Sequence, residues 1–251
     1  MSDPRIVTLD IERAMGWVRI PFWSLSGWKN RRIPAKYVEE WPRMICMAWR
    51  WLGETPIHFA AEWNDREDLL EQTWNVYDQA DIVVGHNIDL FDTKALAGEW
   101  LEAGMDPPSP WRSVDTYKVA RRRFGFESMT LDSLCERLSI PGKTGEYDAE
   151  QVAEALAGDA KAQQAVTVYN KGDVIAAEKV YLALRGWAPN HPNLGVYSVD
   201  GAVCSHCASS DIQWRGYRDT NTGRTRRYQC NECGGWSTTG AREVKTDLRS
   251  I

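Results

Sequence analysis

The chain has 251 residues, with 30 Lys and Arg against 35 Asp and Glu and a formal net charge of −5. That leaves room for one large domain, or a medium and a small one, and argues against a broad basic face for nucleic acid. No apolar run approaches the ~18 residues of a membrane span, and "MSDPRIVTLD" lacks the charged start and long apolar stretch of a signal peptide. The expectation is a soluble, cytoplasmic protein (in a host's cytoplasm if phage-encoded) with no membrane partner.

In chain order, "IVTLD" (6–10) is a short β-branched run that reads as a buried strand. Ile45 to Leu52 reads as a second strand and "IHFAAEW" as a third, with a turn at Glu54 and Thr55 between them. Arg66 to Ala80 carries Leu69, Leu70, Trp74 and Tyr77 at helical spacing. "DIVVG" (81–85) is another buried strand, a helix runs from near Asp92 to Gly104, and "DPPSP" (106–110) forces a loop. Helices follow around 115–123, 130–138 and 148–157, and a long one from Ala160 to Trp187. Strands first, then strand–helix alternation, then helices: this order predicts an α/β class, a mixed sheet flanked by helices. A Pro-, Asn- and Gly-rich stretch then reads as a linker over 189–199, separating residues 1–188 from a small cysteine-bearing module over 200–251.

Four acids stand out. Asp10 and Glu12 are two apart on a strand, so their side chains share a face. Asp92 sits where strand and loop give way to a helix. Tyr169 and Asp173 are four apart on the last helix and project together. Converging carboxylates suit hard Mg²⁺ or Mn²⁺ ions, and two such ions can cleave a phosphodiester. Each motif alone also reads as an ordinary solvated pair; the combination in this order is what points to a site.

"TLDIE", "GHNIDLFD" and "YNKGD" resemble the three motifs of the DEDD 3′→5′ exonuclease superfamily, in its tyrosine subclass, and "VDTYKVA" and "MTLDSLCERLSIPGKTG" resemble the segment between the second and third. The resemblance spans residues 5–185 and implies a ribonuclease H-like fold. It also implies a two-metal exonuclease that trims single-stranded DNA or RNA from the 3′ end to nucleoside 5′-monophosphates, DNA slightly favoured. On it, Asp10 bridges two Mg²⁺ or Mn²⁺ ions, Glu12 and Asp173 complete the tighter site, and Asp92 holds the second ion through water. Tyr169 orients the attacking water, since an unperturbed phenol titrates near pKa 10 and is a poor base at neutral pH. Asn87 contacts substrate or braces its loop. Asp89 is left out of the metal set, His86 reads as structural, and Asp115 as the cap of the next helix. With no polymerase domain in the sequence, a proofreading role would need a polymerase or another replication or repair partner. The rival readings are an endonuclease on the same fold and a catalytically silent nucleic-acid-binding adaptor.

Between Glu12 and Glu39 there is no acid, while Arg13, Arg19, Lys29, Arg31, Arg32 and Lys36 are interleaved with Trp17, Phe22, Trp23 and Trp28. Trp17, Trp28, Arg31 and Arg32 are candidates for one wall of a single-strand channel. A surface hairpin with its tryptophans turned into the core is the alternative.

Six cysteines in such a chain suggest metal ligation before disulfides. Cys204-x₂-Cys207 and Cys230-x₂-Cys233 have the spacing of a Cys₄ zinc site joined by a β-rich hairpin, a zinc ribbon. A redox dithiol pair and an iron–sulfur site are weaker alternatives. Cys46 and Cys135 lie in apolar patterns and read as core. The module from Val196 onward carries eight Lys and Arg against six Asp and Glu. Arg224, Arg226 and Arg227 are its candidate substrate-binding residues; docking a protein partner or simple solvation are the alternatives.

Overall fold

A computed structural model describes residues 3–21, 32–141, 148–198 and 201–246. Its centre is a five-stranded mixed sheet built from β1 (Ile6–Ala14), β4 (Arg43–Trp51), β5 (His58–Ala61), β6 (Ile82–Gly85) and β7 (Arg112–Asp115), in the order β5-β4-β1-β6-β7. β1, β4 and β5 form an antiparallel meander, and β6 and β7 add parallel to β1. A two-stranded ribbon, β2 (Trp17–Val18) and β3 (Val38–Glu40), stands outside this sheet.

Alternation along β1 assigns its two faces. Val7, Leu9 and Ile11 enter a core with Met44, Met47, Trp49, Tyr77 and Trp100, closed by α1 (Arg66–Gln79) and α2 (Asp92–Glu102). The opposite face is covered by α5 (Ala149–Leu156) and α6 (Ala160–Leu184), where Val152, Ala155 and Val166 pack on Ile45 and Cys46. α3 (Thr116–Arg123) and α4 (Leu131–Arg137) pack on the later turns of α6 through Ala120, Leu134, Ala177 and Val180. The expected mixed sheet with helices on both faces is therefore the fold.

Helix starts follow the sequence closely. Asp65, Asp115, Thr130, Asp148 and Asp159 each cap a helix, their side chains accepting backbone N–H groups of the first turn. α6 is 25 residues long, about 37 Å at 1.5 Å per residue. It is fixed to the sheet by Arg50 of β4, whose guanidinium binds Glu178 through two bonds of 2.9 and 2.7 Å. This pair is only 17% and 12% exposed, so it holds the helix in register more firmly than a surface ion pair would. Among the described residues no helix is long and apolar enough to cross a membrane.

After α6 the chain runs through residues 188–198 into a C-terminal β-rich region. This region contains β8 (Ile212–Thr220), β9 (Gly223–Cys230), β10 (Trp236–Thr238) and β11 (Val244–Lys245), all antiparallel around β9. Within the stretch read as a linker, Leu194 is buried and His191 stacks on Tyr181 of α6.

Candidate functional site

The acidic site lies where β1 outruns its parallel neighbour. β6 pairs with β1 only as far as Thr8, opposite Val84, and ends at Gly85. Beyond that point the β6 side of β1 is open at the carboxyl ends of the parallel strands, the usual location of sites in such sheets. Asp10 and Glu12 project from this free stretch toward α6. From α6, Tyr169, Asn170 and Asp173 fall on one face by their i, i+1, i+4 spacing.

Carboxylate oxygens of Asp10, Glu12 and Asp173 all lie within 4.8 Å of one another. Glu12 and Asp173 are only 8% and 4% exposed. Three carboxylates gathered this tightly, two of them nearly out of water, repel one another unless a cation sits between them. An all-oxygen donor set is what Mg²⁺ or Mn²⁺ takes, so the residues fit such ions.

Asp92 belongs to the same neighbourhood but not to that trio. It opens α2, and its Oδ1 accepts the Ile11 N–H at 3.2 Å, a donor that a longer β6 would have paired. Burial pushes its carboxyl up to about 7, the backbone N–H groups of Asp92 and Ile11 pull it back, and the Asp115 charge adds to the rise. A divalent cation nearby would return this group to carboxylate.

Asn170 is a site residue that sequence reasoning missed. It is fully buried, and its Nδ2 donates to Asp10 Oδ2 at 2.8 Å and to the Asp10 carbonyl at 3.2 Å. Its Oδ1 faces the Cys46 thiol at 3.9 Å, which fixes the amide's orientation. A signal exists in the sequence: Asn170 sits three residues before Asp173 and beside Tyr169. Cys46 is buried as expected, and it borders the site: burial, with Glu12 and Asp10 adding, raises its thiol well above the ordinary value. Cys135 is core.

The second-motif loop is braced from α3. Asp115 Oδ1 accepts the Asn87 N–H at 3.0 Å and the Lys118 N–H at 3.2 Å. The helix cap thus also holds Asn87 in its left-handed conformation, φ 63°. The Asn87 side-chain amide makes no hydrogen bond among the described residues. Asp89 pairs with Lys118 at 2.7 Å, and His86 bonds Thr116 at 3.0 Å, so neither joins the acidic trio.

Of the proposed channel wall, Trp28 and Arg31 lie outside the described residues, as do Phe22, Trp23 and Lys29. Trp17 is 58% exposed and Arg32 is exposed. Trp17 therefore does not turn into the core.

The four module cysteines also converge, with all Sγ atoms within 4.8 Å and the Cys204–Cys233 and Cys207–Cys230 pairs at 3.6 Å. A zinc tetrathiolate with Zn–S bonds of about 2.3 Å has sulfur–sulfur edges of about 3.8 Å, so this group fits Zn²⁺. The N–H groups of His206 and Gly235 point at Cys204 and Cys233 sulfurs at 3.4 Å, favouring thiolate. His206 Nε2 instead bonds the Ala188 carbonyl, which leaves the imidazole outside the sulfur set.

A family model described as the RNase_H superfamily matches residues 49–185, more than half of the chain. The chain belongs to the RNase_H superfamily. The match starts inside β4, so it covers Asp92, Tyr169 and Asp173 but not Asp10 and Glu12; β1 joins them through its pairing with β4 and β6. No curated protein matches the chain. Superfamily membership and the two candidate metal clusters support a metal-dependent, nucleic-acid-processing nuclease.

Proposed function

We propose that this RNase_H superfamily protein is a two-metal 3′→5′ exonuclease. It would act on single-stranded nucleic acid, DNA slightly favoured over RNA, and release nucleoside 5′-monophosphates. The observation that carries the proposal is the meeting of Asp10 and Glu12 from β1 with Asp173 from α6, oxygens within 4.8 Å. Tyr169, one helical turn before Asp173, completes the tyrosine-type third motif that the sequence resembles.

In this reading Asp10, Glu12 and Asp173 would hold one divalent ion, and Asp92 would help Asp10 to hold a second. When bound, such ions lower the pKa of the attacking water and stabilise the leaving 3′ oxygen. Asn170 keeps the Asp10 carboxylate turned toward α6. Tyr169 would orient the water, and the Asn87 amide would bind the terminal nucleotide. The Cys₄ group would be a structural Zn²⁺ site, making residues 200–251 a zinc ribbon beside a catalytic domain over 1–188. A polymerase or other replication or repair protein is the partner a proofreading role would require.

The test is digestion of 5′-labelled, 3′-blocked and circular single strands of DNA and RNA with Mg²⁺, Mn²⁺ or chelator. A descending ladder from the free 3′ end, stopped by the block and the chelator, is expected. Cleavage of the circle would replace the exonuclease with an endonuclease. Inertness toward every substrate would leave only a binding protein.

A further inference from the structure

The C-terminal β-rich region has two faces of unlike charge, and a β-bulge sorts them. Between Trp214 and Tyr217 β8 carries one extra residue against β9, with Arg215 and Gly216 opposite Arg227. Gly216 takes φ 85°, a conformation a residue with a Cβ rarely adopts. The extra residue keeps Trp214 and Tyr217 on one face and Arg215 and Arg218 on the other.

On the first face the arginines already have acidic partners. Arg224 pairs with Asp219 at 2.6 Å, and Arg226 with Glu243 at 2.8 Å. On the second face, Arg215, Arg218 and Arg227 gather with Trp236, and no strand residue of that face is acidic. Arg227 lies over the Trp236 ring at 5.2 Å and donates to the Arg215 carbonyl at 2.9 Å, while Arg215 reaches the neutral Gln229. A groove of about 410 Å³ opens between Arg218, Arg227, Trp236, Ser237 and Thr238, with the indole 46% exposed.

Arginines with no carboxylate partner among the described residues select an anion, and an exposed indole beside them selects a flat ring. A strand with free base faces offers both in alternation, whereas a duplex hides its base faces. We propose that the Arg215, Arg218, Arg227 and Trp236 face binds single-stranded nucleic acid, its phosphates on the guanidinium groups and a base against the indole. This rests on the nuclease reading and adds to it a second hold on the same strand. Arg224 and Arg226, which the sequence pattern favours, fall outside the face.

The experiment is fluorescence-anisotropy binding of a labelled single-stranded DNA and its RNA counterpart to the full-length, zinc-loaded Asp10→Ala protein without divalent ions. Three further changes are compared in that background: Arg215→Ala with Arg218→Ala, Trp236→Ala, and Arg224→Ala with Arg226→Ala. Zinc content and melting temperature confirm that each is folded. The first double change should weaken binding about tenfold or more and flatten the log–log salt dependence by about 0.7 for each phosphate that is no longer neutralised. Trp236→Ala should weaken binding about fivefold or more. The Arg224/Arg226 change should leave both nearly untouched. Wild-type-like binding by the first two variants, or an equal weakening in the third, overturns the proposal and leaves the face to a protein partner or to solvent. Digestion of the same oligonucleotides by the wild type with Mn²⁺ reports separately on the nuclease reading. An inactive wild type would sink that reading while the binding comparison still stands.

Discussion

Asn170→Ala separates a residue that builds the metal site from one that merely fills the core. The amide makes two bonds to Asp10, one to its backbone carbonyl and one to its carboxylate at 2.8 Å. A hydrogen bond to a charged group contributes about 1.5–3 kcal/mol. Removing an outer partner of a ligating carboxylate typically costs about 10–100-fold in metal affinity or activity. The variant should therefore require about 10–100-fold more Mn²⁺ for half-maximal hydrolysis, with activity partly recovered at saturating metal. The emptied space beside Cys46 should also cost about 1–3 kcal/mol in a urea titration. A drop in stability alone, with the Mn²⁺ half-saturation unmoved, would refute the reasoning, because a purely structural residue predicts that outcome.

Asp10→Ala should abolish hydrolysis and remove the metal-dependent rise in melting temperature. Without metal, the relieved repulsion among three carboxylates opposes the loss of the Asn170 bond to Asp10, so the metal-free melting temperature should stay close to that of the wild type; a metal-dependent rise that survives would contradict the cluster's role. Gly186→Ala should loosen the cysteine module from α6: the added Cβ would collide with the Cys233 carbonyl and lie 3.0 Å from the Gly235 nitrogen, both backbone atoms that cannot give way cheaply. A cost of about 1–3 kcal/mol is expected, read as faster proteolysis within 188–198 at unchanged zinc content, and an unchanged cleavage rate would count against this packing. His191 supplies the pH dependence. Its imidazole is lowered from 6.5 to about 4, chiefly by burial, so the unfolded chain binds the extra proton first and stability falls as pH drops from about 6.5 toward 4. By pH 5 this amounts to at most about 2 kcal/mol, since a negatively charged zinc tetrathiolate nearby would pull the value back up. His191→Gln should lose correspondingly less between pH 7 and pH 5 in urea midpoints, and equal losses would remove His191 as the cause.

Much of this architecture can be read directly from residue patterns, and the exceptions have physical causes. β1, β4 and β6 are buried on both faces and appear as apolar runs, and α1 and α6 carry helical periodicity. β7 gives no signal: "RSVD" is four residues long with its first two exposed, and it is a strand only because β6 offers a parallel edge. Helix starts are legible because the capping side chain is local information. Asn170 is not, because its role depends on β1 lying under α6, a contact across 160 positions. The arginines of the module mislead for a related reason. Which of them meets an acid depends on strand register, and one bulge residue at Gly216 decides it.

α6 links the two clusters physically. Asp173 sits near its middle, and the turn that ends it, Arg185–Trp187, packs through Gly186 onto the second cysteine knuckle. At 1.5 Å per residue, the 13 positions from Asp173 to Gly186 span about 20 Å. Tyr181 donates to His191, and His191 lies against His206 within the first knuckle, so side chains as well as backbone fill the junction. A strand held by the module and a 3′ end held by Asp10 and Asp173 would therefore be referred to one rigid helix rather than to a flexible tether. Lengthening the chain at Ala188 by a few glycines should then leave hydrolysis of very short oligonucleotides unchanged and weaken that of long ones. Equal rates on both would mean that the module and the acidic cluster work independently.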